Sequence, residues 1–404
     1  MSLELPTPST SAHRLIDDIL SFKDFGRPTR QETVEGIPYY ANEFWTSAQR
    51  KSHALHEVSY RACFKAQLPR FFIDRLTSAG NTVMDPFMGR GTTLIEAALA
   101  GRNVVGNDIN PLSTLLTRPR LCPVDLNTIK TALADIDWSN GTPTRHDLDP
   151  FFHPETLRQI EALRLWLERR APLENHSPDP TADWIRMIAL GRLSGHSSGF
   201  FSGRSMPPNQ AVSLKSQQKI NDRLGLTPPI RDVAAIILKK SKSLLRNGTL
   251  TDPAIANIQT GPAWRISQPD VSVDLTVTSP PFLDIVDYAG DNWLRCWFAG
   301  IDPNAVAIDH HRNIADWTAM VTRVLKDQAR VLRPGGIIAF EVGEVRNGRV
   351  LLEQLVWKAA SDLPFNRLGV MINSQNFTKT ANLWGVSNGT KGTNTNRIVL
   401  LERR

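Results

Sequence analysis

Two hydrophobic periodicities alternate along the chain and predict an α/β protein interrupted by a long helical stretch. Thr82-Val83-Met84-Asp85, Asn103-Val104-Val105-Gly106-Asn107-Asp108 and Val273-Asp274-Leu275-Thr276-Val277-Thr278 are short β-branched runs that read as buried strands. Further strands are expected at Ile255 to Ile258 and Ile337 to Val342, the latter after an Arg333-Pro334-Gly335-Gly336 turn. Gly369 to Ile372 and Ile398 to Leu401 are expected to pair as a C-terminal antiparallel hairpin across a Gly/Asn/Thr-rich connection. Helical spacing marks Glu57 to Leu76, Leu94 to Ala100, Trp317 to Leu332 and Leu351 to Ala360. The first fifty residues show only a short amphipathic helix around Leu15, Ile16, Ile19 and Leu20.

From 112 to 250 the strand rhythm stops and helical patterns dominate, as in Pro154 to Leu167. A polar, glycine-bearing loop from Gly195 to Arg204 and Pro207-Pro208-Asn209-Gln210 precede more basic helix. The expected organisation is an N-terminal arm (1–54), an α/β domain formed by 55–112 with 253–404, and an inserted helical domain (113–252). Its sheet is mostly parallel and Rossmann-like, ending in the antiparallel hairpin.

Charge sharpens this division. The 404 residues carry a net charge of +7, and 181–250 alone hold eleven basic side chains against Asp183, Asp222 and Asp232, an excess of +8. A solvated basic face is the bland reading; concentration of the whole excess in one segment favours a phosphate-contacting surface. The candidate contacts are Phe200, Phe201 and Arg204 in the loop, with Lys215, Lys219, Lys239, Lys240 and Lys242. No apolar run has the length to span a membrane, and the N-terminus lacks an apolar h-region. Cys63, Cys122 and Cys296 are too few and too scattered for a disulfide framework or a zinc site. His310-His311 shares no metal-ligand spacing with an acid or cysteine. A reducing, cytoplasmic setting is expected.

The chemistry concentrates at strand ends. Gly89 and Gly91 allow a tight turn and close approach of a ligand, Thr92 and Thr93 are suited to cap the following helix, and Asp108 closes the next strand where an acid can hold ribose hydroxyls. Asp85 opens the loop and a third glycine is lacking, which disfavours a pyrophosphate. Ser279-Pro280-Pro281-Phe282 must end its strand, because neither proline can continue a ladder. It presents a hydroxyl, a rigid carbonyl and a ring together, a set suited to a planar base bearing an exocyclic amine. Asp284 and Asp287, just beyond, are read as the start of a helix.

Taken as a pair, Asp-Pro-Phe-x-Gly-x-Gly-Thr-Thr at 85–93 and Thr-Ser-Pro-Pro-Phe at 278–282 resemble the motifs of amino-DNA methyltransferases, in the form associated with cytosine N4. Adenine-N6 members usually carry Asp or Asn where this chain has Ser279. The resemblance implies S-adenosylmethionine as cofactor, held by Asp85, Pro86, Phe87, Gly89, Gly91, Thr92, Thr93, Asp108 and Thr278. It implies Ser279, Pro280, Pro281 and Phe282 as catalytic residues, and no metal. It further implies double-stranded DNA as partner, with the target base flipped out, and admits a cognate restriction endonuclease. Tyr60-Arg61-Ala62-Cys63-Phe64-Lys65 is similar to the segment that folds over the methionine end of the cofactor. One departure is Gln259 to Trp264, where the family's acid near the adenine is missing. An adenine-N6 enzyme, an RNA amine methyltransferase and a non-catalytic nucleic-acid-binding protein remain open alternatives.

Overall fold

The computed structural model describes residues 10–46, 52–60, 63–174, 179–206, 211–248, 250, 255–283, 287–308, 311–346, 349–374 and 395–404. The chain opens with helix α1 (Thr10–Ser21) and a hairpin of β1 (Arg30–Val34) and β2 (Ile37–Asn42). Helix α2 (Gln67–Leu76) leads into β3 (Thr82–Asp85), α3 (Thr92–Leu99), β4 (Asn103–Asp108) and α4 (Pro111–Leu121). Helices then follow one another: α5 (Leu126–Ala134), α6 (Pro154–Arg170), α7 (Pro180–Leu190), α8 (Leu214–Leu224) and α9 (Val233–Leu244). The strands resume with β5 (Ala256–Thr260) and β6 (Val273–Thr278), followed by α10 (Tyr288–Ala299), α11 (Ile314–Val331) and β7 (Leu332–Val342). A small ribbon of β8 (Glu344–Val345) and β9 (Val350–Leu351), helix α12 (Leu352–Ala359), β10 (Phe365–Ser374) and β11 (Thr395–Arg403) complete the chain.

Among the described residues the main sheet has nine strands in the order β1-β2-β10-β11-β7-β6-β3-β4-β5. The run β7-β6-β3-β4-β5 is parallel, and β11 enters antiparallel between β7 and β10. This is the Rossmann-like architecture expected from the alternating pattern, with the expected C-terminal hairpin. Chain order reverses between β3 and β6, so the crevice beyond their carboxyl ends is the topological switch point where ligands sit in such sheets.

Period-two alternation sorts the strand residues onto two faces. Ile337, Ala339, Ile398 and Leu400 join one buried apolar cluster, while Ile338, Phe340, Val399 and Leu401 join the other. The second cluster is covered by α11 and α12 through Trp317, Met320, Val321, Val324, Leu352 and Val356. The first is larger and extends without interruption into the inserted helices through Phe151, Phe152, Trp184 and Phe201. The insertion therefore shares its core with the sheet.

Three expectations need correction. The helix expected over Glu57 to Leu76 begins only at Gln67, and the described residues before it run irregularly, held by side chains from other elements. Residues 1–54 do not stand apart as an arm: β2 pairs in parallel with β10, Tyr40 opposite Met371, and α1 buries Ala12, Leu15 and Ile19. The run Ile37-Pro38-Tyr39-Tyr40 was hidden by its proline, which sits near the start of the strand, before the pairing with β10 begins at Tyr39. Phe200 and Phe201 are not projecting wedges either. They are 6% and 0% exposed, because the loop closes on itself: Ser205 N donates to Gly195 O at 2.8 Å and Phe201 N to Arg192 O at 2.8 Å. Both rings turn inward.

Phe201→Ala should therefore destabilise the fold by about 3–5 kcal/mol, the cost of a large core truncation. Denaturant unfolding measures this, and a change under 1 kcal/mol (roughly the range of surface substitutions) would show that the ring is free.

Candidate active site

The loop after β3 is built for close backbone packing. Gly89 and Gly91 have φ of +50° and +74°, and a side chain at Gly91 would collide with Thr117. Met88 N donates to Asn107 O at 2.9 Å, and Gly91 N returns to Met88 O at 2.6 Å. Asp108 holds this turn from the neighbouring strand. Its Oδ2 accepts from Gly89 N at 2.8 Å and its Oδ1 from Asn110 N at 2.9 Å. A carboxylate has further lone pairs, so Asp108, which lines the cleft, keeps acceptor capacity. Burial pushes the Asp108 carboxyl above the usual aspartate range, opposed by the Asn110 and Gly89 amides.

Thr92 and Thr93 do not cap α3 by side-chain hydrogen bonds; Gly91 occupies the N-cap position. Thr93 Oγ1 instead donates to Val277 O at 3.0 Å, and Thr92 Oγ1 accepts from Arg90 Nε at 3.3 Å. Asp85 lies beneath the loop, 1% exposed. Its Oδ1 accepts from Thr278 Oγ1 at 2.6 Å and from Phe87 N at 3.1 Å, while Oδ2 has no hydrogen-bond partner. Burial raises its pKa to about 7, against the hydrogen bonds from Thr278 and Phe87, with Asp108 adding a smaller push upward.

These contacts dock the end of β6 beside the loop. A cleft of about 570 Å³ opens there, lined by Tyr60, Phe87, Gly89, Asp108, Ile109, Asn110, Ala263, Ser279, Pro281 and Ile308. Two distant motifs thus meet in one concavity. Pro281 O accepts from Trp317 Nε1 at 2.8 Å, which anchors the Pro-Pro turn to α11. Pro280 is buried, and Phe282 is half-buried against the cluster beneath α11. Pro86, Gly91, Thr92, Thr93 and Thr278 are buried supports, and neither they nor Asp85, Pro280 and Phe282 line the cleft. Asp287 caps α10, accepting from Gly290 N at 2.9 Å. Asp284, His310, Arg61, Ala62 and 207–210 lie outside the described residues.

Three contributors were not legible in sequence. Glu341, at the end of β7, is 5% exposed and lies beside Ser279 across the β6–β7 register. Asn396 Nδ2 donates to Glu341 at 2.9 Å. Burial raises the Glu341 pKa, and the neighbouring Ser279 hydroxyl and the Asn396 amide oppose the shift. Only the strand register, Thr278 opposite Phe340, places Glu341 beside Ser279. Asn110 and Ala263 complete the walls, Asn110 donating to Tyr60 Oη at 3.3 Å. Ala263 comes from the acid-free stretch after β5, so that stretch reaches the cleft through an apolar methyl.

The basic candidates divide. Arg204, Lys215, Lys219, Lys239 and Lys242 are exposed. Lys240 is only 16% exposed at its side chain and pairs with Glu57 at 3.3 Å.

Residues 19–113, from α1 through the glycine loop to Asp108, match the model of an N6/N4 methyltransferase family described as DNA methylase. The Type II methyltransferase M.MjaII of Methanocaldococcus jannaschii is 36% identical over 84 residues, covering 21% of this chain and 16% of that protein. M.MvaI of Kocuria varians is 32% identical over 97 residues, covering 23% of this chain and 21% of that protein. The matched stretches therefore span about a fifth of either relative's length or less. Among solved structures, TrmN from Thermus thermophilus is 11% identical with a TM-score of 0.34, covering 85% of this chain and 50% of that one, a likeness too distant to bear on function.

Asp85 has a measurable signature. Its carboxyl titrates near 7 when folded and near 3.8 when exposed, so between those values the native state holds the extra proton and stability falls as pH rises. Asp85→Asn removes this loss. Relative to wild type, the variant should be more stable at pH 8 than at pH 4.5 by up to ~3 kcal/mol. Parallel denaturation curves at the two pH values would contradict the assignment.

Proposed function

We propose that the protein is an S-adenosylmethionine-dependent DNA methyltransferase that modifies an exocyclic base amine, N4 of cytosine. The observation that carries this reading is the meeting of Phe87, Gly89 and Asp108 with Ser279 and Pro281 in one cleft at the switch point. The DNA methylase family match over 19–113 supports the DNA and cofactor assignments, and Ser279 supports cytosine over adenine.

The lining of the cleft fits the cofactor in its chemistry. Gly89 allows close backbone approach, Asp108 presents acceptors suited to ribose hydroxyls, and the rings of Tyr60 and Phe87 supply apolar walls. Asp85, buried behind the loop and not itself lining the cleft, adds negative potential toward the cationic methionine end when it is ionised. Bound S-adenosylmethionine supplies an electrophilic methyl group whose bond to sulfur breaks as its bond to nitrogen forms.

The chain's own residues then act on the amine. A cytosine amine is a weak nucleophile because its lone pair is delocalised into the ring. Ser279 stands next to Glu341 across the strand register; with its hydroxyl proton turned toward that carboxylate, its Oγ lone pairs are left to accept a hydrogen from the amine. That hydrogen bond strengthens as nitrogen becomes positive, so it stabilises the transition state more than the ground state. The surplus proton passes from nitrogen to Ser279 Oγ while the Ser279 proton moves to Glu341, whose burial favours the protonated form. Trp317 holds the Pro281 carbonyl and with it the turn, so the groups need no reorganisation. A duplex base must be flipped out to reach them.

Methylating mixed-sequence duplex DNA and digesting it to nucleosides tests the reading. N4-methylcytosine is expected; N6-methyladenine would overturn the base assignment, methylated RNA alone would overturn the DNA assignment, and no methylated base would overturn the enzyme. Ser279→Ala should lower turnover by about 10²-fold, the scale for losing one preorganised hydrogen bond, with cofactor affinity nearly unchanged. Glu341→Gln should lower turnover likewise and abolish the acidic limb of the pH profile. Cofactor affinity lost in proportion to turnover would place Ser279 and Glu341 outside the amine's site.

A further inference from the structure

Residues 54–60 form a strap that crosses from the inserted helices to the cleft and ends in Tyr60. Its backbone is held almost residue by residue. Ala54 N donates to Asn247 Oδ1 at 3.0 Å, Arg120 Nη1 to Leu55 O at 3.0 Å, Arg90 Nη1 to Val58 O at 2.9 Å and Arg295 Nη2 to Ser59 O at 3.0 Å. Glu57 alone turns its side chain outward, onto α9. There it meets Lys240 at 3.3 Å, Arg246 in a short ion pair, and the Ser243 hydroxyl at 3.5 Å. Lys240 and Ser243 share a helix face at i, i+3 spacing, and Arg246 follows at the next step just past the end of α9.

A third cation leans on this group. Arg192 lies over the Phe200 ring at 4.1 Å and is close enough to Lys240 to depress its pKa, after burial the largest cause. Among the described residues Arg192 has no ion pair. Two cations thus hold one carboxylate, a third stands beside Lys240, and a single anion leaves the cluster positive.

We propose that the cations around Glu57 form a binding site for a nucleic-acid phosphodiester, and that the Glu57 carboxylate occupies this site in the free protein. The inference rests on the nucleic-acid reading above and adds to it where one backbone phosphate is gripped. A phosphodiester carries one negative charge and several acceptor oxygens, which match the guanidinium, ammonium and hydroxyl donors gathered here. Position favours it as well. Two residues separate Glu57 from Tyr60, a span of at most about 10 Å, so an anion at Glu57 lies within reach of the backbone flanking a base in the cleft. The exposed Lys239 and Lys242 flank the site on the same helix and extend its positive potential outward. The half-exposed Glu57, 42% at its side chain, can swing aside without uncovering any core.

Fluorescence anisotropy with the full chain and a mixed-sequence DNA duplex, titrated over a range of salt, tests this. Glu57→Gln removes the competing carboxylate and should tighten binding by about threefold to tenfold, the factor for releasing two partly exposed ion pairs. Lys240→Ala with Arg246→Ala should weaken binding and reduce the slope of log affinity against log salt by up to ~1.8, about 0.9 per lost contact. Glu57→Gln placed on that double variant should then change nothing. If Glu57→Gln binds duplex no better than wild type, or the double variant keeps the wild-type slope, the site is wrong while the methyltransferase reading stands. Should Glu57→Gln unfold in a thermal melt, the slope of the double variant decides alone. A wild-type protein that binds no duplex and methylates none would bring down both.

Discussion

One buried carboxylate joins the two halves of the site. Asp85 ends β3, and its Oδ1 accepts the Thr278 hydroxyl from the end of β6 and the Phe87 amide of the glycine loop. Thr93 adds a parallel tie, donating to Val277 O. Ser279 follows Thr278 directly, so these contacts set where its hydroxyl meets the cleft. An aspartate with one oxygen unpartnered is costly to bury, and its pKa rises accordingly. That cost persists at a point where negative potential beneath a cationic ligand is useful, which is where local strain is expected to be tolerated.

The remaining geometry follows from how rigid groups are braced around this joint. Two prolines stop β6 and fix the turn, and Trp317 takes the Pro281 carbonyl. The glycine loop is held from outside by Asp108 and from behind by Arg90, which also reaches the strap. Arg120 is fully buried, with its guanidinium spent on the carbonyls of Leu116, Leu55 and Arg90. Burial brings its pKa down to about 9, with the Arg90 charge contributing. Burying a cation among carbonyls instead of carboxylates keeps the region positive while satisfying its donors.

Because the insertion shares its core with the sheet, its charge acts at the cleft. Arg295 from α10 binds both the strap and Leu190 O at the end of α7, and Glu57 meets α9. The surface proposed to hold a nucleic-acid backbone is thereby mechanically continuous with the wall that carries Tyr60. In a looser arrangement, with a flexible linker between a reader and a catalytic domain, the same charges would contribute affinity without positioning a base.

The amino-acid sequence by itself determined the parallel sheet, the C-terminal hairpin, the glycine loop and the Ser-Pro-Pro-Phe turn. Each is written in local terms: β-branched runs ended by breakers, glycines where φ is positive, prolines that cannot join a ladder. Asp287 as a helix cap was legible for the same reason. What involved partners far away in the chain was not. The strand Ile37–Asn42 depends on β10 to complete it, and Phe200 and Phe201 turn inward because their loop closes on its own backbone. Thr93 looked like a cap and became a cross-strand tie once β6 lay beside it. Glu341 is one acid among many in the sequence; only the register of β6 against β7 brings it to Ser279. Local propensity is carried by neighbouring residues, whereas a site is assembled by strand order, and strand order is decided by tertiary packing.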